Sequence, residues 1–156
     1  MTCSVLSNIS RWLNDCEVPY RLVTHTQTRT SAEAAKARGE SIKIGGKSIL
    51  MKTDTLYRLF VLSACFKVDS SKIKRLLKVK KMRFATADEL HDLTGLVPGS
   101  VPPFGHPILP FDLYVDYSVL ENDWVAFNAG SLTTSMVMST CDYQSIAGAT
   151  FCNFKK

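Results

Sequence analysis

Two short stretches hold the residues best suited to chemistry. In GGKS, residues 45 to 48, a lysine follows a glycine pair. In TGLVPGSVPPFGHPILPFD, residues 94 to 112, five of the six prolines surround Gly99-Ser100-Val101-Pro102-Pro103. A glycine pair lets backbone approach a ligand closely, and Lys47 at the mouth of a strand can offer its ammonium to a phosphate or carbonyl oxygen. A solvated lysine at a strand start is the plainer reading of the same residues. GGKS is not a phosphate loop, because Ser41 stands where that motif needs its first glycine. It also follows a helix and enters a strand, the reverse of the required order. The proline segment is too broken for a helix and lacks donors for a central strand. It is either an elaborate connector or a fixed backbone surface that does the work.

Other chemistries find less support. Ser100 lies in PGSV, outside the G-x-S-x-G elbow that exposes a nucleophile, and reads as a turn serine. The histidines are His25, His91 and His106. His91 falls on the polar face of a helix, whereas His25 and His106 occupy loop-like positions open to a site role. No spacing supports a serine-histidine-acid triad. The five cysteines (Cys3, Cys16, Cys65, Cys141, Cys152) are scattered, form no CxxC and lie in no ligand spacing with histidine. No metal and no cofactor are therefore expected, and the thiols read as those of a reduced, cytoplasmic protein.

The elements that must position these residues follow from periodicity and caps. Val5, Leu6, Ile9, Trp12 and Leu13 predict an amphipathic helix over residues 3 to 16. VPYRLV reads as a strand, and TSAEAAKARG as a helix capped by Thr30 or Ser31 and closed by Gly39. KSILMK and LYRLFVLSA form consecutive strands turning at TDT. Asp69, Ser70 and Ser71 can cap a helix bearing Ile73, Leu76 and Leu77; KKMRFA is a brief strand and TADELHDLTG a helix ended by Gly95. DLYVDYSVL, DWVAFNA and SLTTSMVMS are β-type, and TCDYQSIAG closes as a short helix. This order predicts a mixed α/β fold: one domain over residues 1 to 156 with a mixed, largely antiparallel sheet flanked by short helices. Hydrophobic residues at 46% and charged residues at 21% fit a folded domain. No signal peptide is apparent, and no apolar run approaches the roughly 20 residues that span a bilayer. A soluble protein without a membrane partner is expected.

The formal charge of +5 hints at an anionic partner. KIKRLLKVKKMR concentrates Lys72, Lys74, Arg75, Lys78, Lys80 and Lys81 around one helix and the following strand. The run is either a solvated face or a contact for nucleic-acid phosphates. Without an aromatic RNA-binding motif or a helix-turn-helix, shape and backbone contact are expected over base readout.

Three features coincide in order: HTQTRTSAEAAKARG then GGKSILMK, the segment ADELHDLTGLVPGSVPPFGHPILPFDLYVD, and VAFNAGSLTTSM. Together they resemble the YbaK/prolyl-tRNA synthetase editing-domain family, from about Val18 to Ile146. The resemblance implies a free-standing, trans-acting deacylase. It would hydrolyse the ester joining a wrong amino acid to the terminal adenosine of tRNA, without a metal or covalent intermediate. Lys47 matches the family's important lysine, Gly99 to Pro103 match its G-x-x-x-P loop, and Asn128 to Ser131 match its small-residue turn. Ester hydrolysis passes through an oxyanion, which preorganised donors stabilise best. The resemblance thus casts Lys47, Gly99, Ser100, Val101, Pro102 and Pro103 as catalytic equipment. Gly130 and Ser131 of the matched turn are expected at the substrate, as are Leu50, Met51, Thr133 and Ser135 from strand position, with the loop histidine His25 beside them. The partners implied are aminoacylated tRNA, through the basic residues named above, and an aminoacyl-tRNA synthetase. The strand after Gly130 lacks a histidine found in some relatives, which leaves alanine, serine, threonine and cysteine open. Two other functions stay in play: a non-catalytic module binding tRNA or a synthetase, and a hydrolase of small esters or nucleotides.

Overall fold

The computed structural model describes residues 4–27, 30–39 and 41–156; Cys3, where the first predicted helix begins, falls outside them. Helix α1 runs Val5–Asp15, started by the Ser4 hydroxyl, which accepts from Ser7 N–H, and it buries Ile9 and Leu13. Strand β1 is Tyr20–Thr24. Helix α2, Ser31–Arg38, is capped by Thr30 and closes on Gly39 at φ 69°. A 3₁₀ turn over Ile42–Ile44 leads into β2, Gly46–Thr53, which turns back as β3, Leu56–Ser63.

Helix α3, Ser70–Leu77, is capped by Asp69; β4 is Met82–Phe84 and α4 is Ala87–Thr94. Thr86 and Glu89 form a capping box at the start of α4. After the proline segment come β5 (Leu113–Asp116), β6 (Trp124–Asn128), β7 (Thr134–Ser139), α5 (Thr140–Ile146) and β8 (Thr150–Cys152).

The mixed α/β class with largely antiparallel pairing is as expected, but it is built as two sheets. One is three-stranded and antiparallel, in the order β1-β7-β6. The other has the order β4-β2-β3-β5-β8, antiparallel through β3 and parallel from β3 to β8. A bridge between Gly45 and Ala126 joins them. A side chain at Gly46 would come within 3.2 Å of Val125 Cγ2, so glycine is what lets the sheets approach here.

Alternation along β2 separates two cores. Leu50 faces the larger one, with Leu59, Val61, Phe104, Phe127 and Met136. Met51 faces the smaller one, with Phe60, Leu62, Ile73 and Phe154. Helix α3 therefore lies on the opposite face of the five-stranded sheet from the larger core. Burying each such side chain contributes about 1.5–3 kcal/mol.

Two local predictions change. DLYVDYSVL is a strand only to Asp116, after which Tyr117–Glu121 wind into a 3₁₀ turn. Asp116 is fully buried, and one carboxylate oxygen accepts from Ser118 N–H while the other accepts from Phe154 and Lys155 N–H. This side chain diverts the backbone from the ladder. SLTTSMVMS begins its strand only at Thr134, because the Ser131 hydroxyl accepts from Thr133 N–H and closes a turn. Among the described residues no helix is long and apolar enough to cross a membrane.

Candidate active site between the sheets

A cavity of about 220 Å³ opens where the sheets meet. Its walls come from α2 (Ala34, Arg38), the start of β2 (Gly46 to Ser48), the proline segment (Gly99, Val101) and the end of β6 (Ala126 to Asn128). A second, apolar cavity of about 150 Å³ adjoins it and shares Ser48, Gly99 and Val101. Leu50, Phe84, Ala85 and Leu90 help to line this second space. Gly99 and Val101 thus border both. Ser48 Oγ is buried with no hydrogen-bond partner among the described residues.

The β6–β7 hairpin holds the proline segment in place. Gly99 adopts φ 90°, a conformation that favours glycine. Its carbonyl accepts from Asn128 Nδ2 at 2.7 Å, and the next carbonyl, of Ser100, accepts from Gly130 N–H at 2.9 Å. Gly130 sits at φ 74° against α1, where a Cβ would lie 2.9 Å from Val5. Behind the loop, Pro102 and Pro103 are buried, and the Pro103 carbonyl accepts from the Tyr143 hydroxyl at 2.6 Å. Phe104 packs edge-on against Trp12 and Phe127. The loop is therefore braced from both sides.

The Ser100 hydroxyl turns away from any nucleophilic role. It is buried, donates to Val97 O at 2.8 Å and accepts from Val97 N–H at 3.2 Å. Lys47 lines the cavity, but its side chain shares the β2 face of Met51. Its ammonium donates to Phe66 O at 2.7 Å, just beyond Ala64, itself a cavity residue. Burial holds the Lys47 pKa below the usual lysine value; nearby Lys67 lowers it further and Cys65 opposes.

The remaining predicted residues divide. Ser135 is fully buried, and its hydroxyl donates to Asn128 Oδ1 at 2.8 Å. It meets His25 Nε2 at 2.8 Å and accepts from Arg38 Nη1 at 3.3 Å. His25 Nδ1 lies 2.8 Å from Thr26 O, and its backbone N–H donates to Thr133 O. Leu50 borders the second cavity, whereas Met51 is buried in the smaller core and unavailable to either, a consequence of strand alternation. Ser131 and Thr133 bond each other in the hairpin turn rather than lining the cavity. His106 borders a separate cavity with Asp112 and Thr150, and His91 is exposed on α4.

Arg38, Ser48 and the side chain of Asn128 were missed by sequence reasoning. Arg38, in the last turn of α2, reads as a solvated helix end, yet it is buried against Ser135. The basic residues of α3 do not line the cavity; the Lys72 ammonium donates to Lys155 O at 2.8 Å. Beside the second cavity, Arg83 grips Glu89 at 2.7 and 2.9 Å, and the Tyr57 hydroxyl donates to the same carboxylate. Arg83 foremost, then the Thr86 N–H, hold the Glu89 carboxyl below the usual carboxylate range. This cluster pins α4, and with it the cavity residues Ala87 and Leu90.

The profile of the family described as "Aminoacyl-tRNA editing domain" matches residues 25–146. The "Multifunctional Ser/Thr-tRNA deacylase ProXp-y" of Escherichia coli K12 is 32% identical over 143 residues, covering 88% of this chain and 84% of that protein. A proline–tRNA ligase of Bacillus licheniformis is 33% identical over 96 residues, 61% of this chain but only 17% of the ligase. A crystal structure of a candidate trans-editing enzyme for prolyl-tRNA synthetase superposes with TM-score 0.84 at 26% identity, covering 100% of this chain and 99% of that one.

Proposed function

This chain belongs to the aminoacyl-tRNA editing-domain family and is an aminoacyl-tRNA deacylase, and from that premise we propose that it removes a wrongly attached amino acid from tRNA in trans. Serine and threonine are the first candidates, by similarity to the deacylase of Escherichia coli. The observation that carries the reading is the Gly99–Pro103 loop, braced beside a cavity lined by Lys47, with the Ser100 hydroxyl committed to Val97.

In this mechanism water attacks the ester carbonyl, and backbone N–H groups of the loop meet the developing oxyanion. Such donors stabilise it without reorganising as charge develops. The carbonyl carbon then loses the ribose oxygen, which leaves with a proton from the attacking water. A neighbouring ribose hydroxyl can relay that proton, so no side-chain base is needed. Lys47 supplies a point charge for the terminal phosphate or nearby oxygens once it leaves the Phe66 carbonyl. The cavity between the sheets suits the aminoacyl group. The adjoining apolar cavity, with exposed Phe84, suits the adenine, which an aromatic face can stack. A second pocket of this kind selects by size where a synthetic site discriminates only about 10- to 200-fold.

The basic residues of α3 and the following loop, none of which lines the cavity, are assigned to phosphates of the tRNA body. A synthetase that hands over the tRNA is a further proposed partner.

The decisive experiment incubates the protein with tRNAs mischarged with serine, threonine, alanine or cysteine, alongside Lys47→Ala. Release of at least one amino acid above the spontaneous rate, lost in the variant, is the expected result. Tight tRNA binding with no release from any ester would favour a binding module instead. Hydrolysis, without tRNA, of a small ester that carries no aminoacyl-adenosine group would favour a general esterase.

A further inference from the structure

The Gly99 carbonyl is held by a side chain that is itself held. Asn128 Nδ2 donates to Gly99 O at 2.7 Å, and Asn128 Oδ1 accepts from the Ser135 hydroxyl at 2.8 Å. Ser135 in turn meets His25 Nε2 at 2.8 Å and accepts from Arg38 Nη1 at 3.3 Å. His25 Nδ1 lies 2.8 Å from Thr26 O, and the His25 backbone N–H donates to Thr133 O. These four side chains come from β6, β7, α2 and the segment after β1, so the path joins three elements to one peptide group. An amide that must donate on one side and accept on the other has one workable orientation here, and the Ser135 proton selects it.

Geometry at Ser100 gives this path a consequence. A trans peptide points its N–H opposite its C=O. Asn128 on Gly99 O and Gly130 on Ser100 O therefore set the directions of the Ser100 and Val101 N–H groups. Ser100 N–H is used by Val97 O at 3.1 Å, which leaves Val101, a residue bordering both cavities, as the donor whose aim the hairpin governs.

We propose that Asn128, Ser135 and His25, with Arg38, form a positioning relay that fixes the Gly99–Ser100 peptide and, beside Gly130 on the next carbonyl, steadies the loop that carries the Val101 N–H. This rests on the deacylase reading and gives His25 and Ser135 a role other than touching the substrate. The relay acts on the chemical step, because displacement of a reacting group by about 1 Å costs on the order of 100-fold.

Asn128→Asp is the sharpest probe. Its shape is unchanged and it still accepts from Ser135, but it cannot donate to Gly99 O. Expected are a kcat 10- to 100-fold lower on the mischarged tRNA that wild type cleaves, a KM within about twofold, and faster backbone hydrogen exchange confined to residues 97–103. Ser135→Ala should give a smaller kcat loss, and Asn128→Asp/Ser135→Ala should lose no more than Asn128→Asp alone. Unchanged kcat in Asn128→Asp, a loss carried by KM alone, or unchanged exchange in the loop would each overturn the relay. The exchange measurement stands apart from activity, so a wild type that cleaves no ester would defeat the deacylase reading while the relay was still judged.

Discussion

The Tyr143 hydroxyl donates to the Pro103 carbonyl at 2.6 Å, in the interior, with the tyrosine ring fully buried on α5. The two residues are 40 apart in sequence, and their bond ties the rear of the Gly99–Pro103 loop to the last helix. Burial pushes the Tyr143 pKa far above that of ordinary tyrosine, so the hydroxyl keeps its proton and remains a donor across the usable pH range. Tyr143→Phe removes the donor and leaves a buried carbonyl unsatisfied. It should lower stability by about 1–3 kcal/mol in urea unfolding. An unchanged midpoint would show that another donor reaches Pro103.

Gly99 offers a test of the loop itself. At φ 90° any side chain strains the backbone by roughly 1–3 kcal/mol, and Gly99 borders both cavities. Gly99→Val should abolish hydrolysis, read as release from mischarged tRNA, while the protein still melts cooperatively. Full turnover in that variant would return the segment to the status of a connector.

What could be read from residues alone was uneven, for physical reasons. Periodicity and caps placed the long helices and β2, β3 and β6 well, because alternation and hydroxyl caps are local signals. The 3₁₀ turn after Asp116 and strand β8 depend on the buried carboxylate of Asp116 and on pairing with β5, neither of which is local. At the site, Lys47 and the proline segment were legible because glycine and proline restrict backbone in recognisable ways. Arg38 was not, since nothing in AEAAKAR distinguishes a helix-end arginine in water from one reaching across to Ser135. Met51 was misplaced by a single residue step, which in a strand exchanges one face for the other.

Ser48 carries a buried hydroxyl with no partner among the described residues, at the wall both cavities share. An unpaired buried hydroxyl costs stability, so Ser48→Ala should melt at or above the wild-type temperature. If the hydroxyl meets the substrate, kcat/KM on mischarged tRNA should fall about 5- to 30-fold, as for a lost hydrogen bond worth 1–2 kcal/mol. Unchanged kcat/KM would assign Ser48 to packing.

Arg75 and Lys80 are exposed and belong to the basic run. If they touch tRNA phosphates, the double variant Arg75→Ala/Lys80→Ala should weaken tRNA binding and flatten the plot of log affinity against log salt by roughly 1–2. Hydrolysis of a short aminoacyl-adenosine ester should be unaffected, since neither residue lines the cavity. Equal losses on tRNA and on the short ester would place these residues at the site instead.

Lys47 makes the pH prediction. Its folded pKa is depressed, chiefly by burial, so between that value and the ordinary lysine value the unfolded chain binds more protons than the folded one. The lysine's contribution to stability therefore rises with pH in that window, and below it the folded state carries the cost of a partly buried ammonium. Lys47→Met lacks this titration. At neutral pH it should be at least as stable as wild type in thermal melts, and any advantage should shrink as the pH is raised toward the ordinary lysine range. Its hydrolysis should be lost at every pH. In wild type, deacylation corrected for the spontaneous reaction should decline on the alkaline side earlier than an ordinary lysine would dictate, because the point charge disappears with the proton. A Lys47→Met protein that is less stable at neutral pH yet fully active would remove Lys47 from the site and recast its bond to Phe66 O as structural.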